Sequence, residues 1–290
     1  MTSVDRDTNK HYLIQVNQCL GKAMQPRPKS IANEIADQRS LLWQNMTQTH
    51  HVDEVAIKRL QNRISALLKN EDIDSITRAM FNHELSYLYT YQGKMDDAMR
   101  HFDRTQGVLP ENAMHLSKGH LLWMSGDLLR SREALEAIDL GQGDDQLFRT
   151  LVGCCTSVGM ISQAGECLKR TSIKGRLEDH FIEASVKIIT DLGVDDWEVT
   201  ARLQTASNII RKATSHPFMA YDIFADGDEG IFFQFIVDGS AQELVALDHK
   251  VVEALVDNHS GELDSMLSIG IKPFEPSEFD VSYGPYHASV

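Results

Sequence analysis

Histidine, cysteine and acidic residues are the side chains with which this chain could hold a metal ion or move a proton. His83 is followed directly by Glu84, but the sequence has no HExxH motif and no His or Cys pair at the spacing of a zinc site. Cys154 and Cys155 are adjacent in a helical pattern, so their side chains point about 100° apart. The sequence therefore predicts surface or core roles for the histidines and apolar packing for the cysteines.

An acidic stretch between two apolar runs is the other candidate for metal binding. The segment from Asp226 to Gly230 contains only acidic residues and glycines, but it lacks the span of about 12 residues and the final glutamate of an EF-hand. A hairpin turn is therefore predicted there. No glycine-rich phosphate loop follows a predicted strand, and no nucleophile elbow is present. We predict that the protein is not an enzyme and has no catalytic, cofactor-binding or metal-binding residues.

Charge is distributed unevenly along the chain. The 290 residues include 42 Asp and Glu against 28 Lys and Arg, which gives a net charge of -14 at pH 7. Residues 214–290 hold 14 of the acidic side chains and only two lysines, so almost all of the excess lies there. Bulk electrostatics therefore argue against direct binding of nucleic acid or of an anionic membrane.

The sequence has no segment with the apolar length of a signal peptide or a membrane helix. Residues 1–15 are polar, and no later run reaches the roughly 20 apolar residues that cross a bilayer. The four cysteines, which include Cys19 and Cys167, match neither a zinc site nor a redox motif. We therefore predict a soluble cytoplasmic protein with reduced thiols.

Three helices are predicted ahead of residue 70. The first covers residues 5–23 and is followed by a pair of prolines. The second begins after the capping residue Ser30 and ends near His50, and the third covers residues 53–69. The short loops between these helices predict antiparallel packing.

Four kinds of residue then recur three times at an interval of 33 residues. A glycine is followed by a bulky apolar residue, a small residue and a large apolar residue. These positions are Gly93, Gly126 and Gly159; Met95, Leu128 and Ile161; Ala98, Ser131 and Ala164; and Phe102, Leu135 and Leu168. The glycine can adopt the left-handed conformation that turns the chain back. Each pair of helices has an apolar face that it cannot cover alone, so the pairs must stack.

These recurring residues resemble the tetratricopeptide repeat family. The first copy matches the family best, at Leu85, Tyr89, Gly93, Ala98, Phe102 and Pro110. The second copy keeps Gly119, Leu122, Gly126 and Leu135, and the third keeps Leu151, Gly159, Ala164 and Leu168. None of the copies has the family's tryptophan near its start, where Asn82, His115 and Phe148 stand.

The resemblance implies a mainly α fold, an α-solenoid of tetratricopeptide-like helical hairpins over residues 1–213 with its clearest repeats at residues 79–170. It also implies binding of other proteins or peptides. The first helices of such pairs line the concave side of a solenoid, whereas Tyr89 is assigned to packing. The candidate partner-binding residues of this concave groove are Tyr87, Thr90, Tyr91, His120, Trp123 and Met124. The groove either binds a peptide or helix, or is covered by the N- or C-terminal segments of the chain.

The pattern changes from helical to strand-like after residue 214. Residues 219–225 and 231–237 are rich in Phe, Ile and Val and flank the acidic turn, so they predict a β-hairpin. Ser240 and Glu243 then predict a capping box at the start of a helix.

That helix is predicted to end near Asn258, and a further strand is predicted at residues 266–271. The result is a small acidic α+β module of β-β-α-β order at residues 214–272, which is too small to stand alone and must pack on the last helices or on another subunit. Residues 273–290 are predicted to be an extended tail.

Taken with the resemblance, these features predict a non-enzymatic protein-protein interaction adaptor or scaffold, with a protein or peptide partner in the concave groove. The alternative is an acidic regulator or inhibitor whose C-terminal module occupies the basic site of a nucleic-acid-binding partner. Neither function requires a cofactor, direct contact with nucleic acid, or a membrane. A homo-oligomer is compatible with both.

Overall fold

The computed structural model describes residues 30–174, 177–214 and 220–275. The predicted helix at residues 5–23 and most of the predicted tail lie outside these described residues. Contacts divide the described chain into two compact units, the first comprising residues 30–125 and the second comprising the described residues from 126 to 275. The predicted division at residues 213 and 214 stays a prediction.

The described residues of the first unit form five α-helices. They are α1 Ile31–Thr49, α2 Glu54–Leu68, α3 Ser75–Tyr91, α4 Met95–Asp103 and α5 Glu111–Ser125. Ser30 caps α1 by accepting a hydrogen bond from the backbone N–H of Asn33, and Asp53 caps α2 in the same way through Ala56. α3 is central, because it packs against each of the other four helices.

The buried face of α1 does not follow its apolar residues alone. Ile35, Trp43 and Met46 are buried, but Arg39 occupies the same face between them. Leu41, in contrast, is 64% exposed. The consequence is a charge in the interior and a leucine on the surface of the same helix.

The second unit contains six α-helices and three strands among its described residues. They are α6 Leu128–Glu136, α7 Asp145–Ser157, α8 Ile161–Arg170, α9 Leu177–Leu192, α10 Trp197–Ala213, β1 Ala220–Asp226, β2 Gly230–Val237, α11 Ala241–Asn258 and β3 Leu267–Pro273. Short 3₁₀ helices lie at Leu140–Gln142 and Glu262–Ser265. The chain is therefore mainly helical, with a small sheet at its C-terminal end.

The interval of 33 residues reappears as the spacing of helix starts. α4, α6 and α8 begin at Met95, Leu128 and Ile161. The glycine that precedes each of them has a positive φ, between 69° and 83°. The small residues of the pattern are at most 1% exposed, and the large apolar residues after them at most 2% exposed. Each period thus contains a helix, a left-handed turn and a shorter helix.

We expect Gly159→Ala to lower the free energy of unfolding by about 1–3 kcal/mol more than Gly93→Ala does. Both glycines have left-handed backbones, with φ of 80° and 69°, so both substitutions introduce backbone strain of about 1–2 kcal/mol. A Cβ at Gly159 would lie 2.9 Å from the backbone nitrogen of Thr200, whereas a Cβ at Gly93 would meet nothing within 4 Å. Chemical denaturation of the two variants measures the difference, and equal losses would contradict it.

The three strands form one sheet in the order β1-β2-β3. β1 and β2 are antiparallel, as the predicted hairpin requires, while β3 pairs with β2 in parallel. The capping box at Ser240 and Glu243 is present at the start of α11. On the sheet edge, the carboxylate of Asp248 in α11 accepts a hydrogen bond of 3.0 Å from the N–H of Ile271. The sequence prediction of β-β-α-β order therefore agrees with the structure.

The sheet packs on the helices of its own unit. α9 contacts β1 and β2, and α10 contacts α11. The Tyr221 hydroxyl donates a hydrogen bond of 3.2 Å to the carbonyl of Gly153 in α7. The sheet was predicted to pack either on the last helices or on another subunit. The structure shows that it packs on the last helices. No helix among the described residues is long and apolar enough to span a membrane.

Candidate functional site

The structure brings the predicted partner-binding residues together but buries all of them. None is more than 3% exposed. They are Tyr87, Thr90 and Tyr91 of α3 and His120, Trp123 and Met124 of α5. The expectation that Tyr87 and Tyr91 face an open groove therefore differs from the structure. Binding of a partner by these six residues stays a prediction that requires them to become exposed.

Helix α1 lies against these residues and accounts for the difference. The Trp43 ring centroid is 5.5 Å from that of Tyr91 and 5.4 Å from that of His120. The guanidinium carbon of Arg39 lies 4.3 Å from the centroid of the Tyr87 ring. The side chains of α1 thus occupy the space in front of α3 and α5. We call Arg39, Trp43, Glu84, Tyr87, Tyr91 and His120 the ring cluster.

Tyr87 is more deeply buried than Tyr89, although the resemblance implied that Tyr87 faces the groove. Tyr89 is partly exposed, and its ring stacks on His101 with a centroid distance of 5.2 Å and an interplanar angle of 8°. Tyr87 is 2% exposed and lies among aromatic and charged side chains. The structure therefore differs from the expectation that Tyr87 faces a groove, whereas Tyr89 packs on His101.

A buried ion pair lies at the centre of the ring cluster. The Nε of Arg39 donates to Glu84 Oε2, and Nη1 donates to the Tyr91 hydroxyl at 3.2 Å. Burial alone would raise the pKa of Glu84, but the charge of Arg39 and its hydrogen bond, together with the contact to His83, more than offset burial, so the pKa is lowered. Burial would likewise lower the pKa of Arg39, but the attraction of Glu84, together with Tyr91 and Tyr87, raises it. Both groups are therefore charged at neutral pH.

His120 completes the ring cluster as a neutral group. Its Nδ1 lies 3.3 Å from the Tyr87 hydroxyl. Burial lowers the pKa of His120 well below its usual value, and the charge of Arg39 lowers it further. Burial also raises the pKa of Tyr87. At neutral pH this contact therefore joins an uncharged imidazole to an uncharged phenol.

Ser117 and His83 adjoin Glu84 of the ring cluster in the order of a nucleophilic triad. Ser117 Oγ is 2.9 Å from His83 Nε2, and His83 Nδ1 is 3.7 Å from Glu84 Oε1. A substrate atom would need space about 3 Å from the serine oxygen. Ser117 is 1% exposed, and Arg39 binds the other oxygen of Glu84. The arrangement therefore fits a buried hydrogen-bond network better than a reacting site.

The cysteines of the second unit are buried thiols. Cys154, Cys155 and Cys167 are all free and at most 1% exposed. Burial raises the pKa of Cys155 well above its usual value and that of Cys167 to about 11. Both thiols are therefore protonated at neutral pH and are poor nucleophiles. Within the described ranges, no three His, Cys, Asp or Glu residues are arranged to hold a metal ion.

A second buried ionic network lies in the second unit and was not predicted. Arg132 Nη2 donates to Asp196 at 2.8 Å, and Nη1 donates to Thr200 at 2.9 Å. The other oxygen of Asp196 accepts a hydrogen bond of 2.8 Å from the backbone N–H of Ser162, near the start of α8. The guanidinium also lies 4.2 Å from the centroid of the Trp197 ring. This network ties α6, α8 and α10 together.

An open groove runs between α1 and α2 in the first unit, with a volume of about 650 Å³. Its apolar lining includes Leu41, Leu42, Ala56 and Leu60, and its basic lining includes Arg59 and Arg63. Arg63 donates to Glu34 at 3.0 Å, whereas Arg59 forms no ion pair with any described residue. We call this the α1–α2 groove. The groove was not predicted, because its position depends on how α1 packs against α2.

None of the protein families, curated proteins or solved structures with which the chain was compared matches it.

Proposed function

We propose that this protein is a non-enzymatic adaptor or scaffold that binds a protein or peptide partner through stacked, tetratricopeptide-like helical hairpins. The period of 33 residues between helix starts supports stacking of equivalent hairpins. Ser117, His83 and the described cysteines are buried, which supports a non-catalytic role. The observation that carries the proposal is the α1–α2 groove, an open and partly apolar surface on the first of these hairpins.

The lining of the α1–α2 groove fits an amphipathic helix with acidic residues beside its apolar face. Leu41 is 64% exposed and offers apolar surface that no described residue covers. Arg59 stands beside it as a cation without a described ion partner. Helices commonly dock in such grooves with residues spaced three and four apart. The ring cluster contributes by fixing α1, and with it one wall of the groove, against α3.

We expect Leu41→Glu to abolish capture of the partner in affinity purification from the native cell, while Val55→Glu leaves it intact. Both residues are exposed, at 64% and 60%, so both variants should remain folded. Only Leu41 lines the groove, and a glutamate there removes the apolar contact. Wild type and Val55→Glu are expected to capture the same partner. If Leu41→Glu still captures every protein that these two chains capture, the groove is not the binding surface.

Binding at the predicted concave residues needs a different design. Alanine at Tyr87 or Trp123 would open a large cavity in the core, at a cost of about 3–5 kcal/mol, so loss of a partner would report loss of folding. Tyr87→Phe and His120→Gln retain most of the side-chain volume and alter only the polar contacts. If these variants lose a partner that Leu41→Glu retains, the concave face is the binding surface and the groove is not.

A further inference from the structure

The sheet of the second unit has one face on which aromatic rings remain exposed. Phe224 of β1 and Phe232 of β2 are paired directly across the strands, so their side chains project from the same face. Phe224 is 42% exposed and Phe232 is 37% exposed, whereas Phe233 and Phe235 on the opposite face are at most 2% exposed. The exposed rings are therefore a property of one face only.

The exposed rings form a continuous row with a third ring from α9. The Phe181 centroid is 5.0 Å from that of Phe224, which is 6.1 Å from that of Phe232. Single exposed apolar residues are normal on proteins, but contiguous apolar patches mark interaction sites. We call Phe181, Phe224 and Phe232 the phenylalanine row.

An acidic hairpin tip adjoins the phenylalanine row. Asp226 lies two residues after Phe224 in β1, so its side chain projects from the same face. Asp228 and Glu229 complete the turn and are exposed. None of these three carboxylates forms an ion pair with a described residue, and the N–H of Asp228 donates to Asp226 at 2.9 Å. Among the described residues, the tip therefore presents three negative charges without an ion partner, and that of Asp226 projects from the same face as the exposed rings.

The remaining charges on this face do not cancel those of the tip. Lys272 of β3 donates to Asp222 of β1 at 2.8 Å, so these two charges neutralise each other. Residues 220–275 contain twelve acidic side chains, and their only other basic residue besides Lys272 is Lys250 of α11. Residues 220–275, which supply two of the three rings, are thus strongly acidic.

We infer that this face of the sheet binds a basic segment of a partner protein, with arginine side chains stacked on the phenylalanine row and paired with the hairpin tip. A guanidinium can lie flat on an aromatic ring and at the same time donate two hydrogen bonds to a carboxylate. Rings and free carboxylates lie side by side only on this face among the described strands. The inference does not depend on the function proposed for the first unit.

Two other occupants fit less well. A second copy of this face would bring its acidic tip against an identical one, and the repulsion would oppose pairing. A nucleic acid could stack its bases on the rings, but its phosphates would meet Asp226, Asp228 and Glu229. A basic peptide segment can stack its arginine side chains on the rings and pair them with the carboxylates.

The test uses the full chain and two short labelled peptides, one alternating arginine with serine and the other alternating glutamate with serine. Fluorescence anisotropy should show that the arginine peptide binds and the glutamate peptide does not. Neutralising the tip with D226N/D228N/E229Q should weaken binding about tenfold. The matched control E253Q/D257N/E262Q removes the same number of exposed charges from outside the face and should change affinity less than twofold.

The contribution of the rings is tested separately with Phe232→Ser, which should weaken binding of the arginine peptide about threefold, with far-ultraviolet circular dichroism to verify the fold. The inference is overturned if the arginine peptide does not bind the wild-type chain, or if the tip and control variants weaken binding equally. It is also overturned if a single-stranded oligonucleotide binds the wild-type chain and loses that binding in Phe232→Ser.

Discussion

Glu84→Ala is expected to lower the free energy of unfolding by about 3–5 kcal/mol, because it leaves the guanidinium of Arg39 buried without its counter-charge. Arg39 and Glu84 side chains are 5% and 7% exposed, so water cannot replace the lost carboxylate. The remaining contacts of Arg39, to the Tyr91 hydroxyl and the Tyr87 ring, do not neutralise it. Denaturation with guanidinium chloride, followed by tryptophan fluorescence, measures the loss.

A double variant separates the cost of an unpaired charge from the value of the pair. Arg39→Met with Glu84→Gln removes both charges at similar volume, and it should cost clearly less than the two single variants added together. Glu34→Ala provides the exposed control, because the Glu34 and Arg63 side chains are 49% and 37% exposed and their pair should contribute at most about 1 kcal/mol. Equal losses for Glu84→Ala and Glu34→Ala would contradict the role assigned to the buried pair.

Asp196→Ala is expected to lower the free energy of unfolding by about 3 kcal/mol. The substitution removes the carboxylate between Arg132 and the N–H of Ser162, so it leaves the guanidinium in the interior without its buried counter-charge and the N–H without its acceptor. Arg132 keeps hydrogen bonds to Glu136 and Thr200. The expected loss of unfolding free energy is therefore at the lower end of the range for breaking a buried ion pair. The fluorescence of Trp197, whose ring packs on Arg132, reports unfolding at this position.

Two variants make this second prediction specific to the buried carboxylate. Asp196→Asn keeps an acceptor for the N–H of Ser162 but loses the charge. Its free energy of unfolding should therefore lie between that of the wild type and that of Asp196→Ala. Asp195→Ala removes the neighbouring exposed carboxylate, which accepts only from the N–H of Trp197, and should cost at most about 1 kcal/mol. If Asp195→Ala costs as much as Asp196→Ala, the network does not hold the helices together.

Local signals in the sequence were sufficient for many elements. The capping box at Ser240 and Glu243 depends on residues three apart, and both hydrogen bonds form at the start of α11. The glycines at positions 93, 126 and 159 adopt left-handed backbones because the turn needs a residue without a Cβ. Such signals involve only neighbouring residues, so they can be recognised without knowledge of the fold.

The interior charges could not be predicted in this way. Arg39 and Glu84 are 45 residues apart, and Arg132 and Asp196 are 64 apart. An isolated arginine in an amphipathic helix is typical of a solvated side chain, and nothing near Arg39 in sequence indicates that Glu84 will meet it. The expectation that Tyr87 and Tyr91 line an open groove failed for the same reason. Their exposure depends on where α1 packs, which the repeats themselves do not determine.

The parallel pairing of β2 and β3 has a consequence for synthesis of the protein. The β1–β2 hairpin can form as soon as it leaves the ribosome, because its strands are joined by a short turn. β3 becomes available only after α11 has been made, since that helix separates the two parallel strands. During this interval the phenylalanine-rich β2 has an unpaired edge to which another nascent chain could bind. A translational pause within α11 would lengthen that exposure, and a chain terminated there would keep it permanently.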